Sequence, residues 1–108
     1  MARSNFKLAL SATMADIFTA GADVDTIVMG FQITNIDGTN AADATADWTD
    51  ASDSNTATLI CSETEVAAGD AIAPLAAPLM LSPGDKLRAK ASAASDLVAF
   101  GWVEELDQ

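Results

Sequence analysis

Carboxylates are the side chains most able to do chemistry in this sequence of 108 residues, which holds 16 acidic residues against 5 basic ones. Asp47, Asp50 and Asp53 recur at intervals of three, and oxygen-rich loops can bind Ca²⁺, which takes about six to eight oxygen ligands. An EF-hand loop, however, needs acids at alternating positions, a central glycine and a terminal glutamate, and Asp37-Gly38 lacks that spacing. The pattern favours a solvated acidic loop, and no metal site is predicted.

Paired carboxylates could also serve as an acid and a base. The sequence offers Glu63 with Glu65, and Glu104 with Glu105, but nothing around them supplies a pocket or an opposing partner. Asp70 and Asp85 each follow a glycine at a turn, where a carboxylate commonly accepts backbone N–H groups. No catalytic residues are therefore predicted.

The residue types that are missing exclude further chemistry. The chain has no histidine and no tyrosine, and Cys61 is its single cysteine. Catalysis by Ser-His-Asp or Cys-His is excluded, as are an intrachain disulfide and a zinc site of several thiolates. Cys61 is expected to be a buried free thiol in a protein made in a reducing cytoplasm. We expect no enzyme activity and no cofactor.

Charge is distributed very unevenly. The net charge is −11, and no Lys or Arg occurs between Leu8 and Asp85. Such a chain repels nucleic acid and anionic membranes, because binding to either relies on basic side chains. No apolar run reaches the roughly 18 residues of a membrane-spanning helix, and the polar stretch after Met1–Leu10 is unlike a signal peptide. Neither nucleic acid nor membrane is an expected partner.

The elements that would position these groups are strands. From Asp25 the chain alternates with period two, which places Ile27, Met29, Phe31 and Ile33 on one face of a half-buried strand ending near Asn35. Weaker alternations of the same kind recur at intervals of roughly ten residues, separated by turn-forming segments. They lie at Phe6–Leu10, Met14–Thr19, Thr45–Asp50 and Thr56–Ser62.

These elements predict a single all-β domain over residues 1–108, with residues 1–5 as a possible flexible N-terminal arm. The expected fold is an antiparallel β-sandwich or a jelly-roll-like barrel of about seven to eight short strands. Helices are not predicted in the alanine-rich stretches. Thr and Asp dilute Ala42–Ala46, and prolines interrupt Ala71–Ala77.

The last two strands supply the candidate interface. In Lys86–Ala91 the basic trio Lys86, Arg88 and Lys90 projects from one face. It is either a solvated face paired with acids across the sheet or a docking surface for an acidic partner, including another copy of this chain.

Leu97–Leu106 is apolar on both faces, with Phe100 and Trp102 on one of them. Such a strand is central in the sandwich or is buried by another subunit. Trp48 is interpreted as core or subunit interface, with a carbohydrate-stacking platform as the alternative.

Several segments together resemble small β-sandwich virion proteins of tailed bacteriophages, over roughly Phe6 to Glu104. In those proteins a hydrophobic strand ends at Asn, a Val-x-Ala-Gly turn follows, and a Leu-x-Pro-Gly-Asp turn precedes the penultimate strand. The segments that carry the resemblance are Ile27–Asn35, Trp48–Asp50, Val66–Asp70 and Leu79–Leu87.

The resemblance implies a structural role, and it offers no catalytic residues to carry over. The implied protein is a capsid decoration (cement) protein on the outer capsid surface, with the major capsid protein as a partner. Our own hypothesis is that it also self-associates, as a homotrimer, through the last strand near Phe100 and Trp102. A neck, tail or fibre component of the virion is one alternative. A cellular carbohydrate- or calcium-binding module is the other.

Overall fold

The protein, described by a computed structural model over residues 2–106, consists of two antiparallel β-sheets packed face to face. Within these residues the nine strands are β1 (Ala2–Ala9), β2 (Ala15–Thr19), β3 (Asp25–Asn35), β4 (Ala42–Asp50), β5 (Thr56–Val66), β6 (Ala71–Ile72), β7 (Leu79–Leu81), β8 (Lys86–Ala91) and β9 (Leu97–Leu106). A single turn of 3-10 helix lies at Ala51–Asp53. The predicted all-β sandwich is confirmed. Its strands exceed the predicted number because β6 and β7, with two and three residues, are too short to show a period.

One sheet, called here the front sheet, has the strand order β1-β9-β3-β6, and β7 also pairs with β3. The other, the rear sheet, has the order β2-β8-β4-β5. Strand β9 therefore lies inside its sheet. A central position was one of the two alternatives predicted for this strand, because both of its faces are apolar. It pairs with β1 on one side and with β3 on the other.

The core between the sheets combines large and small side chains, and most of the small ones are alanines of the rear sheet. Val28, Ile33 and Leu97 of the front sheet are fully buried, and they lie against buried alanines of β4 and β8. Near one edge, the ring of Phe6 lies 6.1 Å from that of Phe31 and 6.2 Å from that of Phe18. Side chains of different sizes from two sheets can interlock and fill the space between them at high density. Alanines let the two sheets lie close together, so the core is well packed although it has few aromatic residues.

A β-bulge in β3 makes part of the predicted alternation wrong. The register with β9 shifts between Val28 and Gly30, so one extra residue is inserted there. Val28 consequently points into the core with Phe31 and Ile33, whereas Ile27 and Met29 are only half-buried. Successive side chains along a strand point to opposite faces. A single inserted residue therefore turns Ile27 and Met29, which were expected in the core, toward the outer face of the sheet.

The N-terminal residues also differ from the expected arm. Ala2 to Asn5 belong to β1, where they pair in register with Glu105 to Trp102 of β9. Phe6, the next residue, is buried and anchors the strand in the core. Residue 1, the remainder of that predicted arm, lies outside the described residues.

Two glycines allow the bulge to pack. A Cβ atom on Gly101 would lie well inside van der Waals contact of the Gly30 carbonyl oxygen, and 2.6 Å from Cζ of Phe6. On the opposite face, a Cβ on Gly30 would lie 3.2 Å from both Cδ1 and Nε1 of Trp102. Glycine within a strand is typical of a bulge or of close backbone approach. Here Gly101 makes room for the backbone of the bulge, and Gly30 makes room for the Trp102 side chain on the other face.

Replacement of Gly101 tests this packing. We expect Gly101→Ala to lower the free energy of unfolding by more than about 3 kcal/mol, because the added methyl group meets backbone that cannot rotate away. The melting temperature should fall by more than about 10 °C.

The matched control is Gly38→Ala, because a Cβ there meets no atom within 4 Å. It should change stability by less than about 0.5 kcal/mol. Equal melting temperatures for the two variants in a thermal scan by circular dichroism would show that the bulge does not depend on Gly101.

Candidate interaction face

The outward side of the front sheet forms an open aromatic groove. Phe100 and Trp102 project from β9 away from the core and are 39% and 37% exposed. Because β9 is central, outward residues of both neighbouring strands flank the pair. The groove has a volume of about 870 Å³ and is lined by Asn5, Lys7, Gly30, Gln32 and Ala73, together with the two aromatic residues and parts of Phe6, Phe31 and Gly101.

Trp102 is held in a defined position at one end of this groove. Its indole lies against Gly30, which has no side chain to displace it. The guanidinium carbon of Arg3 lies 5.8 Å from the ring centroid, within the range of a cation–π contact. Arg3 Nε also donates to Glu104 Oε1 over 3.2 Å. The orientation of Trp102 is therefore set from both neighbouring strands.

Exposed apolar side chains are concentrated on this sheet. Among residues 2–106, large hydrophobic residues are exposed at Ile36, Leu59, Met80, Phe100 and Trp102. Met80 points outward from β7, where it pairs with Ile27, and Ile36 directly follows β3. Of these five described residues, only Leu59 belongs to the rear sheet. Of these side chains, Phe100 and Trp102 lie together in the groove, and a contiguous exposed apolar patch is typical of an interaction surface.

Lys7 adds a positive charge beside the aromatic pair. It lies directly opposite Phe100 in the pairing of β1 with β9 and is exposed. Within the described part of the chain it forms no ion pair. The groove therefore joins aromatic surface to an uncompensated cation in a molecule with a net charge of −11.

The predicted basic trio lies on the opposite side of the molecule. Lys86, Arg88 and Lys90 point outward from β8, alternating with Leu87, Ala89 and Ala91, which are buried. One flat contact cannot include both the trio and the Phe100–Trp102 pair, because they lie on the outer faces of different sheets.

Two members of the trio have acidic partners in the rear sheet. Arg88 Nε and Nη2 donate to the two carboxylate oxygens of Asp47 over 2.8 and 2.7 Å, and Asp47 is only 4% exposed. This hydrogen bonding raises the pKa of Arg88 above its ordinary value. The Lys86 ammonium lies 3.5 Å from Asp16, with both side chains partly exposed. Such pairs across a sheet are the arrangement expected of a solvated charged face.

The other residues considered from the sequence do not form a site. Trp48 is half-buried and packs against the core, in keeping with its interpretation as a core residue. Cys61 is a half-buried free thiol whose Sγ lies 3.7 Å from the Ala44 carbonyl oxygen. Asp50 accepts hydrogen bonds from Ser52, while Asp47 is held by Arg88. No group of three or more His, Cys, Asp or Glu residues within residues 2–106 is arranged to hold a metal ion.

The turn carboxylates have the role predicted for them. Asp85 accepts from the backbone N–H groups of Ser82 and Ala51, over 2.9 Å in each case, and Asp70 accepts from that of Ala71 over 2.8 Å. Asp37 accepts from the N–H groups of Thr39 and Asn40, and these bonds lower the pKa of its carboxyl group. These aspartates thus stabilise the turns by accepting hydrogen bonds from backbone N–H groups.

Sequence reasoning missed the flanks of the groove. Arg3, Asn5 and Lys7 on one side and Gln32 on the other come together only through the pairing β1-β9-β3. The glycines at 30 and 101, within otherwise apolar strands, were the available signal, since such glycines mark bulges or close backbone approach.

Comparisons with known proteins place the chain in no family. No family model matches it, and neither does any curated protein. A solved structure described as a pentameric capsid protein from metagenomic phage sequences is similar in fold, with 19% sequence identity and a TM-score of 0.48. The likeness covers 94% of this chain but only 62% of that protein. Similarity at this level does not establish a shared function or assembly. In addition, no described helix is long and apolar enough to cross a membrane.

The Arg88–Asp47 pair generates a prediction about stability. Arg88→Met should lower the free energy of unfolding by about 2 to 3 kcal/mol, because it leaves the buried Asp47 carboxylate without its partner. Lys86→Met, which breaks the exposed pair with Asp16, should cost less than about 0.5 kcal/mol. Urea unfolding of both variants measures the difference, and similar midpoints would contradict the special role of Asp47.

Proposed function

We propose that this protein is a non-enzymatic structural protein of a bacteriophage virion, and most specifically a capsid decoration (cement) protein. The observation that carries the proposal is the exposed aromatic pair Phe100–Trp102 at the centre of the front sheet. A single small domain gains nothing in stability by exposing these rings to water, whereas an assembling domain buries them against a partner.

The resemblance in strand and turn segments supports the same role. Two of the segments that carry it have clear structural tasks. Asn35, at the end of β3, is buried and donates from its side-chain amide to the carbonyls of Asn40 and Val66, over 2.9 and 3.0 Å. Asp85 closes the turn before β8. These are residues of a fold rather than of a catalytic site, in keeping with a structural protein.

The proposed mechanism is binding by surface complementarity. Copies self-associate through the face of β9, as a homotrimer, and sit on the outer capsid surface at symmetry axes, where they tie neighbouring major capsid proteins together. A protein that binds only the intact shell stabilises it by mass action. The acidic remainder of the surface keeps crowded copies soluble.

Besides the contact between copies through β9, a decoration protein needs a contact with the capsid, and the basic trio supplies it. Since Lys86 and Arg88 have acidic partners in their own sheet, Lys90 is the member most available to an acidic surface on the capsid. A neck, tail or fibre component would use the same faces in fewer copies. The carbohydrate alternative, which depended on an accessible Trp48, is disfavoured because Trp48 packs on the core.

The copy number of this chain relative to the major capsid protein, measured by quantitative mass spectrometry of purified virions, tests the proposed role. Hundreds of copies per virion are expected of a decoration protein. A handful of copies would move the protein to the neck, tail or fibre, and its absence from virions would overturn the proposal.

Loss of the indole at position 102 tests the proposed self-association. We expect Trp102→Ala to raise the dissociation constant of the oligomer by at least about 30-fold, the effect of a central aromatic residue in an interface. Ile36→Ala is the matched control, because it shortens a more exposed apolar side chain, 64% exposed, that lies outside the groove. Sedimentation velocity reports both, and a fully assembled Trp102→Ala variant would contradict the interface.

A further inference from the structure

The groove on the front sheet requires an occupant that is both apolar and acidic. Phe100 and Trp102 supply the apolar surface, while Lys7 beside them has no ion pair within the described residues. Burial of an unpaired ammonium group is costly unless the partner supplies a carboxylate. Complementarity of charge also decides which partners can approach.

Among the described residues, strand β5 of the rear sheet offers that combination. Leu59, in the edge strand β5, is 59% exposed and is the one exposed large hydrophobic residue of the described rear sheet. Strand β5 contains no Lys or Arg, and Glu63 and Glu65 follow Leu59 along it. Asp50, the last residue of β4, and Asp53, in the 3-10 turn, precede it along the chain. Leu59 is thus an isolated apolar side chain within an acidic edge.

A bulge in β5 turns Leu59 outward. Cys61 pairs with Ala46, so a regular register would place Leu59 opposite Trp48, which packs on the core. The register instead shifts by one residue, and Leu59 pairs with Asp47. As a result Ile60 and Cys61 both pack against the core and Leu59 does not. Bulges commonly re-aim a side chain, and this one exposes a leucine that the regular strand would bury.

We propose that Leu59 of one copy packs between Phe100 and Trp102 of the next copy, with Lys7 facing the carboxylates of β5. This inference deepens the self-association proposed above and rests on it. The contact is heterologous, because it joins two different surfaces, and contacts of that kind generate rings when the rotation closes.

Charge favours this arrangement over symmetric pairing of two grooves. Each copy carries a net charge of −11, so two copies repel unless the contact brings cations against acids. A groove facing a groove would bring together surfaces of the same composition. A groove facing β5 brings Lys7 to an edge rich in carboxylates.

Complementation between two variants tests the proposal. Phe100→Ser damages the groove and keeps Leu59, while Leu59→Ser damages the protruding side chain and keeps the groove. Each variant alone should be monomeric, with a dissociation constant at least about 30-fold above that of the unmodified protein. An equimolar mixture should form dimers and nothing larger, because it retains one intact contact per pair.

Lys7→Glu tests the charged part of the contact, and Lys7→Arg is its control, because it keeps the positive charge at that position. Lys7→Glu should weaken association about tenfold or more, an effect that shrinks as salt rises from about 0.05 to 0.5 M. Lys7→Arg should not weaken it. Circular dichroism verifies that all four variants are folded.

The outcomes separate the two levels of proposal. If the unmodified protein associates but the mixture of Phe100→Ser and Leu59→Ser remains monomeric, the heterologous contact is wrong and symmetric pairing of grooves replaces it. If Leu59→Ser alone associates normally, Leu59 is not in the contact. If the unmodified protein is monomeric at all concentrations up to about 1 mM, a limit that corresponds to about −4 kcal/mol, the self-association itself is overturned, whatever its copy number in virions.

Discussion

The close approach of two glycines on adjacent strands is the constraint on which the rest of the structure depends. Gly101 of β9 admits the carbonyl of Gly30, and this contact stabilises the bulge in β3. The bulge brings Val28 and Phe31 onto the same face, which closes the core, and leaves the other face of Gly30 free for the indole of Trp102. The same bulge therefore shapes the core on one side of the front sheet and the groove on the other, because a bulge changes the direction in which neighbouring side chains point.

The two outer faces of the sandwich differ in how they use charge. In the rear sheet, Arg88 and Lys86 are paired with Asp47 and Asp16 of neighbouring strands, so most of that positive charge is balanced within the fold. In the front sheet, Arg3 is paired with Glu104, but Lys7 is not paired with any described residue. The uncompensated cation thus lies beside the aromatic side chains, where a partner with carboxylates would gain most.

The prediction of the fold succeeded where the signals were local. Period-two alternation located β3 and β9, and turn residues such as Asn35 and Asp85 ended or preceded strands as expected. It failed where one residue changed the phase of a strand. A bulge at Met29 or Ile60 is set by packing against the opposite strand, and period counting assumes that no such residue is inserted.

The sequence by itself determined the class of the fold and the limits of its chemistry. Period and turn residues specify strands locally, and a chain with no His and one Cys cannot build a Ser-His-Asp or Cys-His site. Only the tertiary structure decided which residues share a surface. The pairing of β1 with β9 brings Lys7 beside Phe100, and Arg3 beside Glu104 across 101 positions of the chain. Pairing between residues so far apart in the sequence depends on the packing of the whole sandwich. Local sequence patterns therefore do not predict which strands become neighbours.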